Sequence, residues 1–202
     1  MHITAQMATM RLSDLIPQST GGMRVPSRPR RRRRMLSPAM EHRSPMPDGP
    51  RYDDDFYAWT QHQAAVLRQM PVSDNRFDRE HVAEEIEDLG KSERDAVRSQ
   101  IRRIIEHLLK LSYSPAEQPR FDWMGSIVEA RAALGDKLSP TLRRDAEVML
   151  PKLYQDGRER AELGLRSQRE TEAAAKLPAE CPYTLDQILL RGWYPDRGEE
   201  NP

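Results

Sequence analysis

The sequence contains a single cysteine, Cys181, among 202 residues, so no disulfide can form within the chain. Thiols are kept reduced in the cytoplasm, and we expect a cytoplasmic protein. The setting Glu-Cys-Pro-Tyr leaves two interpretations of Cys181 open. It is either a lone nucleophile or a small side chain packed in a turn, and we favour the second.

Long apolar runs are also missing. No stretch approaches the roughly 18 consecutive apolar residues of a membrane-spanning helix. The arginine cluster near the N-terminus is not followed by the apolar run of a secretory signal. We therefore expect no membrane partner. The apolar fraction of 37% and the length suit one domain, or one domain with a tail.

The net charge of the whole chain is zero, but the charges are unevenly distributed. Residues 1–50 contain nine arginines and three acidic residues, whereas residues 51–202 contain 23 basic and 29 acidic residues. The part of the chain after residue 50 is therefore mildly acidic. Its own electric field is not expected to attract nucleic acid strongly.

Residues 1–50 are predicted to be a disordered extension, because they are rich in arginine and proline and show no helical or strand period. Their main feature is a basic arm of five arginines: Arg30, Arg31, Arg32, Arg33 and Arg34. Three interpretations stay open. The segment is an arm that binds nucleic acid or an acidic surface, a solvated tail, or a product of translation that really starts at Met35, Met40 or Met46.

Apolar residues recur every three or four positions from Tyr52 to Pro195, which is the spacing of amphipathic helices. No segment shows the period-two alternation of a strand. The predicted fold is therefore all-α, an antiparallel bundle of four to six helices over residues 51–195. A flexible C-terminal tail is expected at residues 196–202.

Capping residues mark the predicted helix starts. They are Asp53–Asp55 for the first helix, Asp74 or Asp78 for the second, Ser139 followed by Pro140 for the fourth, and Thr184 for the last. The third helix is expected to run from about Trp123 to Leu138. Around Gly90 we expect either one long helix, straight or kinked, or two helices that meet there, and Pro151 predicts a kink in the fourth helix.

Four blocks of this region resemble the DUF29 family. They are residues 52–60 (YDDDFYAWT), 82–94 (VAEEIEDLGKSER), 107–110 (HLLK) and 181–185 (CPYTL), in that order. The resemblance covers about residues 51–195 and leaves residues 1–50 as an extension. It implies a bacterial helical bundle whose function is not established, so it supports the fold and adds little on mechanism.

Most catalytic signatures are absent from the sequence. There is no glycine-rich phosphate loop and no HExxH, CxxC or GxSxG motif. No cofactor is therefore predicted.

One row of polar residues is prominent on the second helix. Glu93, Gln100 and His107 are seven residues apart and drift only about 20° per step, so they project along the edge of the apolar stripe. They form either a metal or acid–base site built on His107 and Glu93, or a buried polar ladder that fixes helix register. We favour the ladder. The expected partners of these residues are each other, or Asp156 and Arg160 on the inner face of the fourth helix, and Asp55 and His62 flank the inner face of the first.

An acidic cluster precedes this row and contains Glu84, Glu85, Glu87 and Asp88. Glu84 and Asp88 share a helix face and are candidates for binding a divalent cation, although a solvated face is favoured. Trp59 and Trp123 are predicted to anchor the core.

Three functions follow as hypotheses. We favour a non-enzymatic module that presents a surface to a protein partner, with a homo-oligomer also considered. The second is a metal-dependent or acid–base enzyme that uses Glu93, Gln100 and His107. The third is a nucleic-acid-associated protein that acts through Arg30–Arg34.

Overall fold

The computed structural model describes residues 49–71, 73–135 and 137–196. Every regular element in these ranges is helical, which confirms the predicted all-α fold. The six helices are α1 (Phe56–Gln69), α2 (Arg79–Tyr113), α3 (Arg120–Leu134), α4 (Pro140–Ser167), α5 (Thr171–Ala175) and α6 (Leu185–Leu189). None of them is long and apolar enough to cross a bilayer. The predicted basic arm Arg30–Arg34 and the tail after Asp196 lie outside the described residues.

The predicted capping residues start four of these helices. The Asp55 carboxylate accepts a hydrogen bond from the Ala58 N–H, and Asp78, one of two candidates, caps α2. Ser139 caps α4 with proline at the first helical position, and Thr184 forms a capping box at α6. Local side-chain chemistry therefore sets these boundaries.

Helix α2 lies at the centre, with α1 and α3 antiparallel to it. Thr60 near the start of α1 contacts Gly90, whereas Arg68 near its end pairs with Glu80. For α3, the Arg120 guanidinium donates to the Leu111 carbonyl. The loop that follows α3 returns to the first half of α2.

Helix α4 runs parallel to α2. The predicted antiparallel arrangement therefore applies to helices that are consecutive in sequence, and not to α2 and α4. Arg98 donates to both carboxylate oxygens of Asp145, at 2.8 and 2.6 Å. Further along both helices, a Cβ on Gly157 would lie 2.9 Å from Ile105 Cγ2. The absence of a side chain at Gly157 therefore allows the two backbones to approach closely.

The core fills the space between α2, α3 and α4. Trp123 belongs to this core with 7% of its surface exposed, as predicted. Completely buried aliphatic side chains contribute about 1.5–3 kcal/mol each. They include Ile101, Ile104, Ile105, Leu108, Leu109, Ile127 and Leu165.

Helix α2 continues through Gly90 as one long helix, which is one of the two predicted arrangements. Helix α4 continues through Pro151, which lies on an exposed position. The end of the third helix differs from the prediction. Helix α3 ends at Leu134, and Leu138 packs on the core from the following loop.

Candidate functional site

Helix α1 packs on α2 through small side chains. Thr60 and Ala64 are its buried residues, and the facing residues of α2 are Ala83 and Gly90. A Cβ on Gly90 would overlap the Thr60 hydroxyl. Thr60 and Ala64 face α2, whereas the larger side chains of Trp59 and Val66 lie on another face of α1.

The two helices therefore present an exposed apolar surface, which we call the hairpin face: Trp59, Val66, Met70, Val82 and Leu89. Leu89 is 58% exposed, Met70 48%, Val66 39% and Val82 37%. Trp59 is half-buried rather than the predicted core anchor. Trp59 and Val66 are seven residues apart, as are Val82 and Leu89, so each helix carries a straight apolar row.

Both rows lie on the same side of the α1–α2 pair. At about 100° per residue, Trp59 and Val66 lie on the opposite flank of α1 from Gln61 and Arg68. The Gln61 side chain donates to the Glu87 carbonyl, and Arg68 pairs with the Glu87 carboxylate at 2.8 Å. The polar contacts therefore fill one flank of the pair, and the apolar rows share the other.

An aromatic cluster extends the hairpin face at the start of α1. The ring of Tyr52 meets Phe56 and Trp59 edge-on, with centroid distances of 5.3 and 4.8 Å. Beside this cluster is a cleft of about 210 Å³, whose lining includes Asp53, Asp54, Tyr57, Glu93, Lys137 and Leu138. Small-molecule sites usually measure roughly 300–1,000 Å³, so this cleft suits a single side chain.

Asp55 connects the starts of two helices behind this cleft. Its carboxylate accepts from the Ala58 N–H of α1 at 2.9 Å and from the Thr141 N–H of α4 at 3.1 Å. Burial by itself would raise the pKa of Asp55, but the hydrogen bonds from Ala58, Thr141 and Ser139 outweigh it, so the pKa lies below its ordinary value.

The Asp55→Ala variant is expected to lose about 2 kcal/mol of unfolding free energy, because one backbone N–H at the start of each of two helices loses its acceptor. The contribution of Asp55 is present at neutral pH, since its folded-state pKa is lowered, and disappears as the pH falls below the ordinary value of 3.8. Urea denaturation at several pH values measures it. Asp53→Ala, an exposed neighbour, should stay within about 0.5 kcal/mol of the wild type. Equal losses in the two variants would contradict the double cap.

The first part of α2, which carries Val82 and Leu89, is acidic. Residues 80–88 contain five acidic residues and no lysine or arginine. Glu80 and Glu87 pair with Arg68, and Asp88 pairs with Lys91 at 2.8 Å. Within the part of the chain that the structure describes, Glu84 and Glu85 have no ion-pair partner.

The family model described as "Domain of unknown function DUF29" matches residues 51–194. The chain belongs to the DUF29 family. The DUF29 domain is similar in fold to an alpha-helical protein of unknown function from Rhodospirillum rubrum, known from a crystal structure. The two share 25% identity and a TM-score of 0.63, over 71% of this chain and 92% of the other. A comparison with curated proteins gave no match.

Two of the four sequence blocks that resemble DUF29 contribute residues to the hairpin face and to the α1–α2 contact. Residues 52–60 supply the aromatic cluster and Thr60, and residues 82–94 supply Val82, Leu89 and Gly90. The two blocks are brought into contact at Thr60 and Gly90.

The structure does not bring Glu93, Gln100 and His107 into one site. Glu93 and His107 lie about 21 Å apart along α2, at 1.5 Å per residue. Glu93 pairs with Lys137 at 2.9 Å, whereas Gln100 Oε1 and His107 Nδ1 are buried without a hydrogen-bond partner among the described residues. Neither a shared metal site nor a hydrogen-bonded ladder is formed by these three residues.

His107 is held in its neutral form by its surroundings. Burial lowers the pKa of the His107 imidazole, and the nearby Lys110 and Arg103 act in the same direction, against the carboxylate of Glu106. Lys110 itself pairs with Glu106 at 2.6 Å.

The predicted partners of this polar row have other roles. Asp156 pairs with Lys152 at 2.8 Å and with Arg102 at 3.4 Å. Arg160 is exposed, which corrects its predicted inward position, because it lies on the outer face of α4. The His62 ring lies close to the backbone of Gly49.

The acidic candidates Glu84 and Asp88 both lie on exposed positions of α2. Among the described residues, no group of three or more His, Cys, Asp and Glu side chains has the geometry of a metal site.

Cys181 lies in the segment before α6, where its thiol donates to the Tyr183 carbonyl at 3.2 Å. Burial raises the pKa of the Cys181 thiol, opposed by that hydrogen bond. A raised pKa keeps the sulfur in the less reactive thiol form. This setting agrees with the packed side chain favoured from the sequence.

Sequence reasoning missed the most buried charged side chain among the described residues, Arg131 of α3. It is 4% exposed, and its guanidinium donates to the carbonyls of Ile188, Trp193 and Gln187 at 2.9, 2.9 and 3.3 Å. The apolar spacing of α3 did indicate that this arginine is buried. Arg131 lies between Ile127 and Leu134 in the apolar row of α3, four and three residues away.

Proposed function

We propose that this DUF29 domain is a non-enzymatic protein-interaction module whose contact surface is the hairpin face. The observation that carries the proposal is the pair of exposed apolar rows on α1 and α2, continuous with the rings of Tyr52 and Phe56. Contiguous exposed apolar surface of this kind usually marks a binding site for another protein.

The composition of the surface supports this proposal. Aromatic side chains dominate the energy of protein interfaces, especially next to pockets that exclude water. Trp59 and Tyr52 provide such anchors, and the adjacent cleft has room for one side chain of a partner. Two apolar rows of period seven on neighbouring helices suit the binding of an amphipathic helix along them.

The test uses affinity capture with the full chain carrying Val66→Ser and Leu89→Ser together. Both side chains are exposed, so stability should change by less than about 0.5 kcal/mol for each. We expect a protein that the wild type retains to bind this variant at least tenfold more weakly, because apolar anchors are lost.

The matched control replaces two exposed apolar residues of α4, Val148→Ser and Leu163→Ser. Val148 is 79% exposed and Leu163 71%, and neither belongs to the hairpin face. The control should bind as the wild type does. A partner that is lost equally from both variants, or from neither, would sink the proposed function.

A further inference from the structure

Glu85 lies within the exposed apolar row of α2. It follows Val82 by three residues and precedes Leu89 by four, so the three side chains share one helix face. Glu85 is exposed and has no ion-pair partner among the described residues. Any helix that covers Val82 and Leu89 must therefore also cover this carboxylate.

Covering an unpaired carboxylate is unfavourable. Removing one partner of a buried ion pair typically costs 3–5 kcal/mol, because the remaining charge is left without compensation. The cost is avoided only if the covering surface brings a cation to Glu85. A guanidinium suits this position best, because it can bind a carboxylate through two parallel hydrogen bonds and also stack on neighbouring rings.

A second copy of this domain would not meet that requirement. On the α1 side, the hairpin face consists of Trp59, Val66 and Met70. Gln63, which lies between Trp59 and Val66, is uncharged. The basic side chains close to this face are already engaged, since Arg68 pairs with Glu80 and Glu87 on the other flank and Arg79 donates to the Met70 carbonyl. Two such faces in contact would leave both copies of Glu85 unpaired.

We propose that the hairpin face binds an amphipathic helix of another protein, in which a basic residue lies between two apolar residues seven positions apart. The apolar residues cover Val82 and Leu89, and the basic residue pairs with Glu85. This inference rests on the proposed function, since it names the chemistry of the partner for the same surface.

The experiment measures binding of the full chain to three acetylated and amidated 21-residue helical peptides. They share a leucine row and differ at one central position of that row, which is arginine, glutamine or glutamate. We expect the arginine peptide to bind about tenfold more tightly than the glutamine peptide, as for one charge-assisted hydrogen-bonded pair. The glutamate peptide should bind most weakly.

Charge reversal assigns this preference to one residue. In the Glu85→Lys variant, the glutamate peptide should become the tightest ligand. The matched control, Glu84→Lys, changes a neighbouring exposed and unpaired carboxylate about 100° away around α2, and it should keep the original order.

Two outcomes are distinguishable. One outcome is that Val66→Ser with Leu89→Ser weakens peptide binding, whereas Glu85→Lys leaves the order of the three peptide affinities unchanged. The basic-helix inference is then overturned, and the proposed function stands. If no peptide loses affinity for the variant with Val66→Ser and Leu89→Ser, the hairpin face is not the contact surface, and both proposals fail.

Discussion

Replacing Arg131 by methionine is expected to lower the free energy of unfolding by about 3–5 kcal/mol, the range typical of breaking a buried charged network. Arg131 donates to three carbonyls around the end of α6, and its guanidinium also lies 5.7 Å from the centroid of the Tyr194 ring. Methionine fills a similar volume but leaves these carbonyls buried without a donor.

The effect should be concentrated in the C-terminal segment. Carbonyls at a helix C-terminus carry partial negative charge, and Arg131 supplies the positive charge that stabilises them at α6. Burial lowers the pKa of Arg131, and these dipoles offset the cost of keeping it charged without a carboxylate partner. Amide hydrogen exchange of residues 185–194 should therefore accelerate more than exchange in α2.

Two further variants define the cause. Arg131→Lys keeps the charge but lacks the planar fork that reaches three acceptors, so it should recover less than half of the lost stability. Arg144→Met removes an exposed arginine of α4 and should change stability by less than about 0.5 kcal/mol. Full stability of Arg131→Lys would show that charge alone matters, contrary to the expected role of the fork.

The fold could be predicted from the sequence because its determinants are local. The apolar period of α2 and α4 specifies helices, and capping residues such as Ser139 and Thr184 specify where they start. The same local information could not determine that α4 lies parallel to α2. That arrangement depends on Gly157 meeting Ile105, a contact between residues 52 positions apart.

The candidate site was harder to predict, because periodicity shows which residues share a face and not what covers that face. The row containing Trp59 and Val66 looks like a core stripe, yet the packed contact of α1 uses Thr60 and Ala64. Similarly, the spacing of Glu93 and His107 correctly placed both along one edge of α2. It did not reveal that each meets different neighbours, Glu93 near Lys137 and His107 near Glu106, Lys110 and Arg103.

The Gly90→Val variant is expected to lose about 3 kcal/mol of unfolding free energy, because overpacking a close helix contact is destabilising. Even the first added carbon would overlap the Thr60 hydroxyl and lie 3.0 Å from Gln61 Nε2. Thr60 is completely buried, so its side chain has no solvent-filled space to move into. The α1–α2 contact must open instead, which would also distort the hairpin face. Thermal and urea denaturation measure the loss.

Gly125 provides the matched control, because it lies in a helix with nothing within 4 Å of an added Cβ. Gly125→Val should change stability by no more than about 0.5 kcal/mol, since valine has a somewhat better helix propensity than glycine. The smaller change Gly90→Ala should cost about 1–2 kcal/mol, and adding Thr60→Ala should recover most of this cost by removing the overlapping hydroxyl. If Gly90 and Gly125 variants behaved alike, or if Thr60→Ala gave no recovery, the close approach of α1 and α2 at Gly90 could not be what requires glycine there.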